Sequence, residues 1–309
     1  MSGREFPLLM ISAMYENGGN TTHRFLDGHP QLYVYPFESQ LGTRLVNDQL
    51  ASVFPVKYRW PVFALDATSY DDYKGIIDEE GKVRARTPEV SKFRHQPFEM
   101  SDDERCAIYQ RYVTASGRSR ANNVAAFFQA TFDAWRNYTR SGREKVYVGY
   151  SPIVIVDGDK ILSEMTNAHL LHVVRNPWSA YADTKKRPVP LSLANYVAAW
   201  SLNQYYALLF RDLFPDRVHI LRIEDVLSDP RKTIGKVCQA IGVGSSETLE
   251  TPTWNGKPLT EIYPWGTIRK PTSEANRETA NELSALERDA VTRYAKPYLE
   301  SFDYVTFLK

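Results

Sequence analysis

Short apolar runs alternate with helical patterns along the chain. The runs with the length and residue types of buried strands are 6–14, 32–35, 145–150, 170–174 and 217–222. Apolar residues spaced three and four apart predict helices at 20–26, 39–51, 121–138, 153–165, 193–213, 230–241 and 285–302. Strands that alternate with helices predict an α/β protein, in which helices cover both faces of a central parallel sheet.

Residues 54–146 interrupt this alternation. The stretch is rich in aromatic and charged residues, includes a loop-like segment at 75–97, and carries no motif. We expect a single domain over 1–309, with 54–146 as a mainly helical or irregular insert that faces the substrate.

Composition and charge narrow the class of protein. The chain has 309 residues, of which 43% are hydrophobic, so it can bury a sizeable core. Its 38 basic and 37 acidic residues give a net charge of +1, which argues against non-specific binding of nucleic acid. Two cysteines, Cys106 and Cys238, form no disulfide framework. Without a signal peptide or a long apolar segment, we expect a cytoplasmic protein with no membrane span. A homo-oligomer is compatible with these features.

The first candidate site follows the run 6–14. It is a glycine-containing turn that leads into a helix, and its residues are Asn17, Gly18, Gly19, Asn20, Thr21 and Thr22. Backbone N–H groups and the helix dipole at such a turn favour an anion, and paired glycines let the ligand approach closely. Thr21 or Thr22 is the expected N-cap, and Gly28 ends the helix. A tight turn without a ligand fits the pattern equally well. The lysine of nucleotide triphosphatases is absent, which disfavours an ATPase or kinase.

The second candidate site follows the run 170–174. Arg175 comes directly after this strand, and its planar guanidinium matches a phosphate with two parallel hydrogen bonds. The basic run 185–187 follows, and it fits either a positive field near a ligand or a solvated loop.

The residues at both sites resemble the sulfotransferase family of the carbohydrate and tyrosylprotein type. Residues 22–30, Thr-His-Arg-Phe-Leu-Asp-Gly-His-Pro, resemble the helix after that family's phosphate loop. Arg175-Asn176-Pro177 matches its Arg-Asn/Asp-Pro motif, and 221–230 resembles its Leu-Arg-Tyr-Glu-Asp-Leu-x-x-Asp-Pro segment. The resemblance covers 6–40 and 145–305. It implies a P-loop-like sulfotransferase fold, the donor 3′-phosphoadenosine 5′-phosphosulfate (PAPS), no metal, and a small-molecule or glycan acceptor.

The resemblance also assigns binding roles. The loop from Asn17 to Thr22 would hold the 5′-phosphosulfate, and Arg175 would grip the 3′-phosphate. The family places a serine eight residues after this arginine, where the chain has Asp183, and the neighbouring Thr184 is the better candidate. Residues expected to close over the nucleotide are Thr267, Arg269 and Lys270. Glu224 and Asp225 are expected to be architectural.

The chain departs from the family at two cation positions. Glu16 stands where the loop normally carries lysine or arginine, and Tyr150 stands at a second expected lysine. One preorganised donor contributes about 3 kcal/mol to transition-state stabilisation, so the missing cations matter. Replacement cations named by the sequence are Arg24, Arg44, Lys57 and Arg59.

The catalytic base is expected to be Glu38, which follows the second strand. The resemblance implies this role, because enzymes of the tyrosylprotein type have a catalytic glutamate close to this position. Glu38 also fits a helix cap or an ion-pair partner. Glu16 and His23 are the other catalytic candidates, and His29 fits a structural turn.

Two alternatives stay open. The same fold would serve a glycosyl or other group transferase if Glu16, Asn17, Asn20 and Tyr150 bound another donor, such as a nucleotide-sugar, with a divalent metal beside the diphosphate. A degenerate relative would act as a binding protein only.

Overall fold

A five-stranded parallel sheet forms the centre of the protein. The computed structural model describes residues 2–85, 96–187, 189–259 and 272–308. The strands are β1 (Leu8–Ala13), β2 (Leu32–Val34), β3 (Val146–Tyr150), β4 (Ala168–Val174) and β5 (Val218–Arg222). Their order is β2-β3-β1-β4-β5, and every neighbouring pair is parallel. The predicted α/β fold and its five strands are therefore confirmed. A separate antiparallel pair joins β6 (Thr253–Trp254) to β7 (Lys257–Pro258).

Helices occupy most of the remaining described chain. They are α1 (Gly19–Leu26), α2 (Ser69–Ala85), α3 (Asp102–Ser116), α4 (Arg120–Ala134), α5 (Gly158–Glu164), α6 (Pro177–Thr184), α7 (Leu193–Leu213), α8 (Ile223–Ser228), α9 (Pro230–Ala240), α10 (Ser273–Asn281) and α11 (Ala285–Leu299). In the described part of the chain, no helix has both the length and the apolar composition needed to cross a membrane.

Both faces of the sheet are buried, which explains why β1 is apolar without alternation. Leu9 and Ile11 belong to one core cluster, together with residues of α1 and α9. Leu8 and Met10 face the opposite cluster, which includes residues of α2, α3, α4 and α7. The central strand is thus held between two apolar layers, and its carboxyl end is fixed in position.

The helix predicted over 39–51 is wrong, because this segment is irregular. Tertiary contacts override the local pattern here. A Cβ atom added at Gly42 would lie 1.7 Å from the carbonyl oxygen of Val56, so the chain passes too close for another residue type. The Thr43 hydroxyl donates a hydrogen bond to the carbonyl of Val62, which holds the segment against the next stretch of chain.

The loop-like segment predicted at 75–97 is corrected in its first part, where α2 continues to Ala85. The start of this helix is marked by a capping pair, Thr68 and Asp71, which the spacing of apolar residues does not reveal. The backbone N–H of Thr68 donates to the Asp71 carboxylate, and the N–H of Asp71 donates to the Thr68 hydroxyl. This reciprocal pair satisfies two donors at the helix start. The later residues 86–95 lie outside the described residues.

Helix α3 was also not predicted. Ser101 caps it by accepting a hydrogen bond from the N–H of Glu104. Inside the helix, the fully buried Arg105 pairs with Glu80 of α2 at 3.0 Å. This buried pair fixes the placement of α2 relative to α3. That residues 54–146 face the substrate stays a prediction.

The carboxyl ends of the parallel strands converge on one edge of the sheet. The loop of residues 16–18 follows β1, Glu38 follows β2, Tyr150 ends β3, and Arg175 follows β4. In open α/β sheets, ligands bind in the crevice outside this edge. The topology therefore gathers sequence-distant site residues in one place.

Candidate active site

The loop after β1 has the backbone of an anion cradle. Gly18 is the N-cap of α1 with φ near +87°, a conformation that favours glycine. A Cβ atom there would lie 2.4 Å from the side chain of the buried Ile223. The first N–H groups of a helix have no partner within it, so those at the start of α1 can receive an anion. The prediction that Thr21 or Thr22 caps the helix is wrong, because Gly18 is the N-cap. The Thr22 hydroxyl donates a hydrogen bond to the carbonyl of Gly18.

Asn17 joins this loop to the end of β4. Its side-chain oxygen accepts hydrogen bonds from the backbone N–H of Arg175 at 3.0 Å and from the indole of Trp200 at 3.3 Å. Its amide donates to the carbonyl of Tyr15 at 2.8 Å. Asn17 is almost fully buried, so it shapes the loop rather than presenting its amide to a ligand.

Arg175 lies beneath the loop and is 2% exposed. Its Nη1 donates to the carbonyl of Glu16 at 2.9 Å and to the Asp183 carboxylate at 2.8 Å. Its Nε donates to the side-chain oxygen of Asn276 at 2.6 Å. Arg175 therefore ties the loop to α6 and α10. The contact of Arg175 with a 3′-phosphate stays a prediction. These bonds use Nε and Nη1, so such a contact would be made by Nη2.

Asp183 and Thr184 are both fully buried on α6. Asp183 serves as the acceptor for Arg175, and Lys186 also reaches it at 3.1 Å. Thr184 donates its hydroxyl to the carbonyl of Ala180, one turn earlier in the helix. Neither side chain presents a donor toward the crevice in this arrangement.

Glu16 faces Arg187, which the sequence analysis treated only as part of the basic run 185–187. The Glu16 carboxylate lies 3.9 Å from Nε of Arg187, and the Arg187 guanidinium lies 4.6 Å from the centre of the Tyr15 ring. Glu16 itself has φ of 60°, an uncommon value for a residue other than glycine. The altered loop residue therefore faces a cation from another segment, and Arg187 brings positive charge to the loop from outside it.

Glu38 follows β2, and its charge acts on three tyrosines, Tyr15, Tyr58 and Tyr150. Tyr58 donates a hydrogen bond to it, and burial together with the Glu38 charge raises the pKa of Tyr58 well above its usual value. The pKa of Tyr150 is also raised well above its usual value, first by burial and then by the charges of Glu38 and Glu16. Both phenols are thus neutral, and Tyr58 helps to orient a carboxylate. The next residue, Ser39, accepts a hydrogen bond from the backbone N–H of Tyr150 at 3.2 Å, and the Tyr150 ring packs against Gly19, so Glu38 lies near the start of α1. The role of Glu38 as a base stays a prediction.

Tyr150 replaces the second expected lysine with a neutral, buried ring. A Cβ atom added at Gly19 would lie 2.5 Å from this ring, so Tyr150 supports the start of α1 from below. The ring also lies near His23, with centres 5.7 Å apart. Tyr150 therefore supplies packing at this position and no positive charge.

The histidines are poor candidates for the base. His23 is buried, and Nη2 of Arg24 lies 2.8 Å from its Nδ1. Burial and the Arg24 charge hold the pKa of His23 well below its usual value. His29 bonds the carbonyl of Gly244 through Nε2 and accepts from the N–H of Gln31 through Nδ1. His29 thus fixes a turn, as predicted.

The four replacement cations named from the sequence have other roles. Arg24 is buried with its guanidinium 5.5 Å from the Trp254 ring, and Arg44 forms an exposed pair with Asp78. Lys57 stacks on Tyr58, and Arg59 is buried against Asp157 and Asp48. The partners in these contacts, Trp254, Asp78, Tyr58, Asp157 and Asp48, lie outside the loop.

The remaining candidates divide into structural residues and residues outside the described ranges. Glu224 accepts from Asn176 at 2.8 Å and from the Tyr304 hydroxyl at 2.7 Å, and Asp225 pairs with Arg222 at 2.7 Å. These bonds are architectural, as expected. Thr267, Arg269 and Lys270 lie outside the described residues.

Cys106 and Cys238 are buried free thiols. Among the described residues, no cluster of three or more histidine, cysteine, aspartate or glutamate side chains is arranged to hold a metal ion.

The fold and site define an α/β protein with a glycine turn and a helix start at the carboxyl edge of its sheet. The model of the sulfotransferase family matches residues 18–247, which is most of the chain. This chain belongs to the sulfotransferase family, and it is a transferase. No curated protein matches the sequence.

Comparison with solved structures finds matches over nearly the whole chain. The sulfotransferase domain of the Synechococcus PCC 7002 olefin synthase is 19% identical with a TM-score of 0.55, and the match covers 96% of this chain and 95% of that domain. The sulfotransferase domain of the curacin biosynthetic pathway is 13% identical with a TM-score of 0.46, over 95% and 98% of the two chains. A retinol dehydratase, solved with retinol and PAP, is 12% identical with a TM-score of 0.42, over 97% and 83%. The first of these likenesses shows the fold.

Proposed function

We propose that this sulfotransferase moves the sulfuryl group of PAPS to a hydroxyl group of a carbohydrate or a related small molecule. The observation that carries the proposal is the juxtaposition of Glu38 with the glycine cradle at the start of α1. Ser39, which follows Glu38, exchanges hydrogen bonds with the backbone of Tyr150, and the Tyr150 ring packs against Gly19. The proposed base and the proposed anion cradle therefore lie on two sides of one residue.

The residues of this crevice supply the parts that the reaction needs. Glu38 accepts the proton of the acceptor hydroxyl while that oxygen attacks sulfur. The bond between sulfur and the 5′-phosphate oxygen breaks, which gives a sulfate ester and adenosine 3′,5′-bisphosphate (PAP). The N–H groups at the start of α1 stabilise the charge that develops on the leaving phosphate.

The pairing of Glu16 supports this donor over a nucleotide-sugar. The alternative donor was suggested by an acidic residue in the loop, which would require a divalent metal beside a diphosphate. The Arg187 guanidinium offsets that carboxylate, so Glu16 does not by itself call for a metal.

Replacing Glu38 separates chemistry from binding. Glu38→Gln keeps the shape of the side chain and removes its ability to take a proton. We expect a loss of sulfuryl transfer of roughly 10²- to 10⁴-fold, with PAP affinity changed by less than about twofold. Transfer is measured with labelled PAPS against a panel of monosaccharides and polyols, and PAP affinity is measured by calorimetry. A Glu38→Gln variant with undiminished transfer would contradict the role of Glu38.

A further inference from the structure

We infer that Arg187 supplies the cation that binds the 5′-phosphosulfate, in place of the basic residue that Glu16 replaces in the loop. The inference rests on the proposed function and names a residue that the reaction uses in this chain. It follows from the position of Arg187, its unused donors and the contacts that hold it beside the loop.

Two contacts orient Arg187 toward the loop. Its guanidinium stacks on the Tyr15 ring at 4.6 Å, and its Nε lies 3.9 Å from the Glu16 carboxylate. Stacking on an aromatic ring and attraction to a carboxylate both restrict the orientation of a guanidinium. The charge of Arg187 also reaches Tyr150, the residue against which Gly19 packs. Arg187 is therefore held beside the loop, in contact with two of its residues.

The hydrogen-bond donors of Arg187 are available. Within the described ranges, no hydrogen bond joins its guanidinium to another residue, and the side chain is 33% exposed. Arg175 differs, because its Nη1 and Nε donate to protein oxygens in a buried network. An anion that enters the crevice can thus take donors from Arg187 without breaking a bond that supports the fold.

The neighbouring lysines do not share this position. Lys185 pairs with Glu287 at 2.6 Å, and Lys186 pairs with Glu282 at 2.6 Å and with Asp183 at 3.1 Å. These bonds hold both ammonium groups toward α6, α10 and α11. The basic run therefore has two functions: the lysines stabilise the packing of helices, and Arg187 serves the loop.

Glu16 acts through Arg187 as a positioning residue. Its carboxylate would repel the anionic donor if it stood alone, since like charges in a crevice raise the free energy of binding. Paired with Arg187, it orients the guanidinium and leaves the remaining donors of that group for phosphosulfate oxygens. The reversed charge in the loop is thus compensated from another segment of the chain.

Two nucleotides locate the contact of Arg187. PAP carries both phosphates, and adenosine 3′-monophosphate lacks the 5′-phosphate. We expect Arg187→Ala to weaken PAP binding by about tenfold or more, the effect of one lost charge-assisted contact, and to change binding of adenosine 3′-monophosphate by less than about twofold. Arg187→Lys should recover part of the loss. Lys185→Ala is the matched control, because it removes one positive charge from the same run and should change neither affinity.

A charge relocation tests the compensation itself. Glu16→Lys combined with Arg187→Ala moves the cation back into the loop, and this double variant should bind PAP more tightly than Arg187→Ala alone. Glu16→Lys alone sets two cations about 4 Å apart, so it should lower thermal stability through repulsion of like charges.

Three results overturn the inference: PAP affinity unchanged in Arg187→Ala, equal loss of both nucleotides in that variant, or no recovery in the double variant. Failure of the unmodified protein to bind PAP would instead contradict the proposed function.

Discussion

Gly18 shows how much of the site depends on one residue. Its positive φ favours glycine, and its missing side chain leaves room for Ile223 of α8, which packs within van der Waals distance of the cradle. The backbone N–H groups at the start of α1 point at a ligand only if this junction keeps its geometry. Residue-level constraints of this kind come from distant parts of the chain.

Gly18→Ala should therefore destabilise the protein and abolish PAP binding. The left-handed backbone costs an alanine about 1–2 kcal/mol, and the contact with Ile223 adds about 1–3 kcal/mol. Gly142→Ala is the matched control, because Gly142 also has a positive φ but has no atom within 4 Å of an added Cβ. Chemical denaturation gives both free energies of unfolding. Equal losses in the two variants would show that the contact with Ile223 is unimportant.

The pairing of Glu16 with Arg187 marks the limit of prediction at this scale. The sequence shows that a cation is missing from the loop, and it names Arg24, Arg44, Lys57 and Arg59 as substitutes. It gives no distance between residues from different segments, so the arginine that reaches the loop was hidden in a basic run. The glycine turn was predictable, because it lies between an apolar run and a helical pattern. The role of Glu38 came from the family resemblance and stays a prediction.

Elements were predictable where local pattern and tertiary packing agree. Helix α7 begins and ends at the predicted residues, since Ser192 caps it and its apolar spacing matches the face that it buries. The predicted helix at 39–51 is irregular instead, because Gly42 and Thr43 make close contacts with residues 56–62. Helix α3 begins at a capping signal, Ser101 and Glu104, which a search for apolar periodicity alone overlooks.

The irregular segment after β2 is anchored by a buried ion pair. Arg59 and Asp157 are both almost fully buried, and Asp157 accepts from Arg59 at 2.7 Å and from the N–H of Trp60 at 2.9 Å. This pair joins the segment to the start of α5.

Asp157→Ala should lower the free energy of unfolding by about 3–5 kcal/mol, since it leaves a buried guanidinium without one of its partners. The control Glu250→Ala removes an exposed pair with Arg231 and should cost less than about 1 kcal/mol. Urea denaturation of the three proteins makes the comparison. A cost for Asp157→Ala as small as that of the control would show that the pair does not anchor the segment.

The whole molecule is organised by the parallel sheet. Its topology brings the ends of β1, β2, β3 and β4 to one edge, and each end contributes a residue to the crevice. The sequence predicts this arrangement well, because alternating strands and helices have few packing solutions. The choice of acceptor depends on side chains farther from the strand ends, and the strand pattern carries no information about them.

The binding of PAP tests the central claim most directly. Calorimetric titration of the unmodified protein with PAP should show saturable binding of one nucleotide per chain. Adenosine 3′-monophosphate should bind more weakly, because it lacks the 5′-phosphate that we propose binds at the start of α1. Folded protein that takes up no PAP, or that binds the two nucleotides equally well, would contradict a phosphosulfate site at the start of α1.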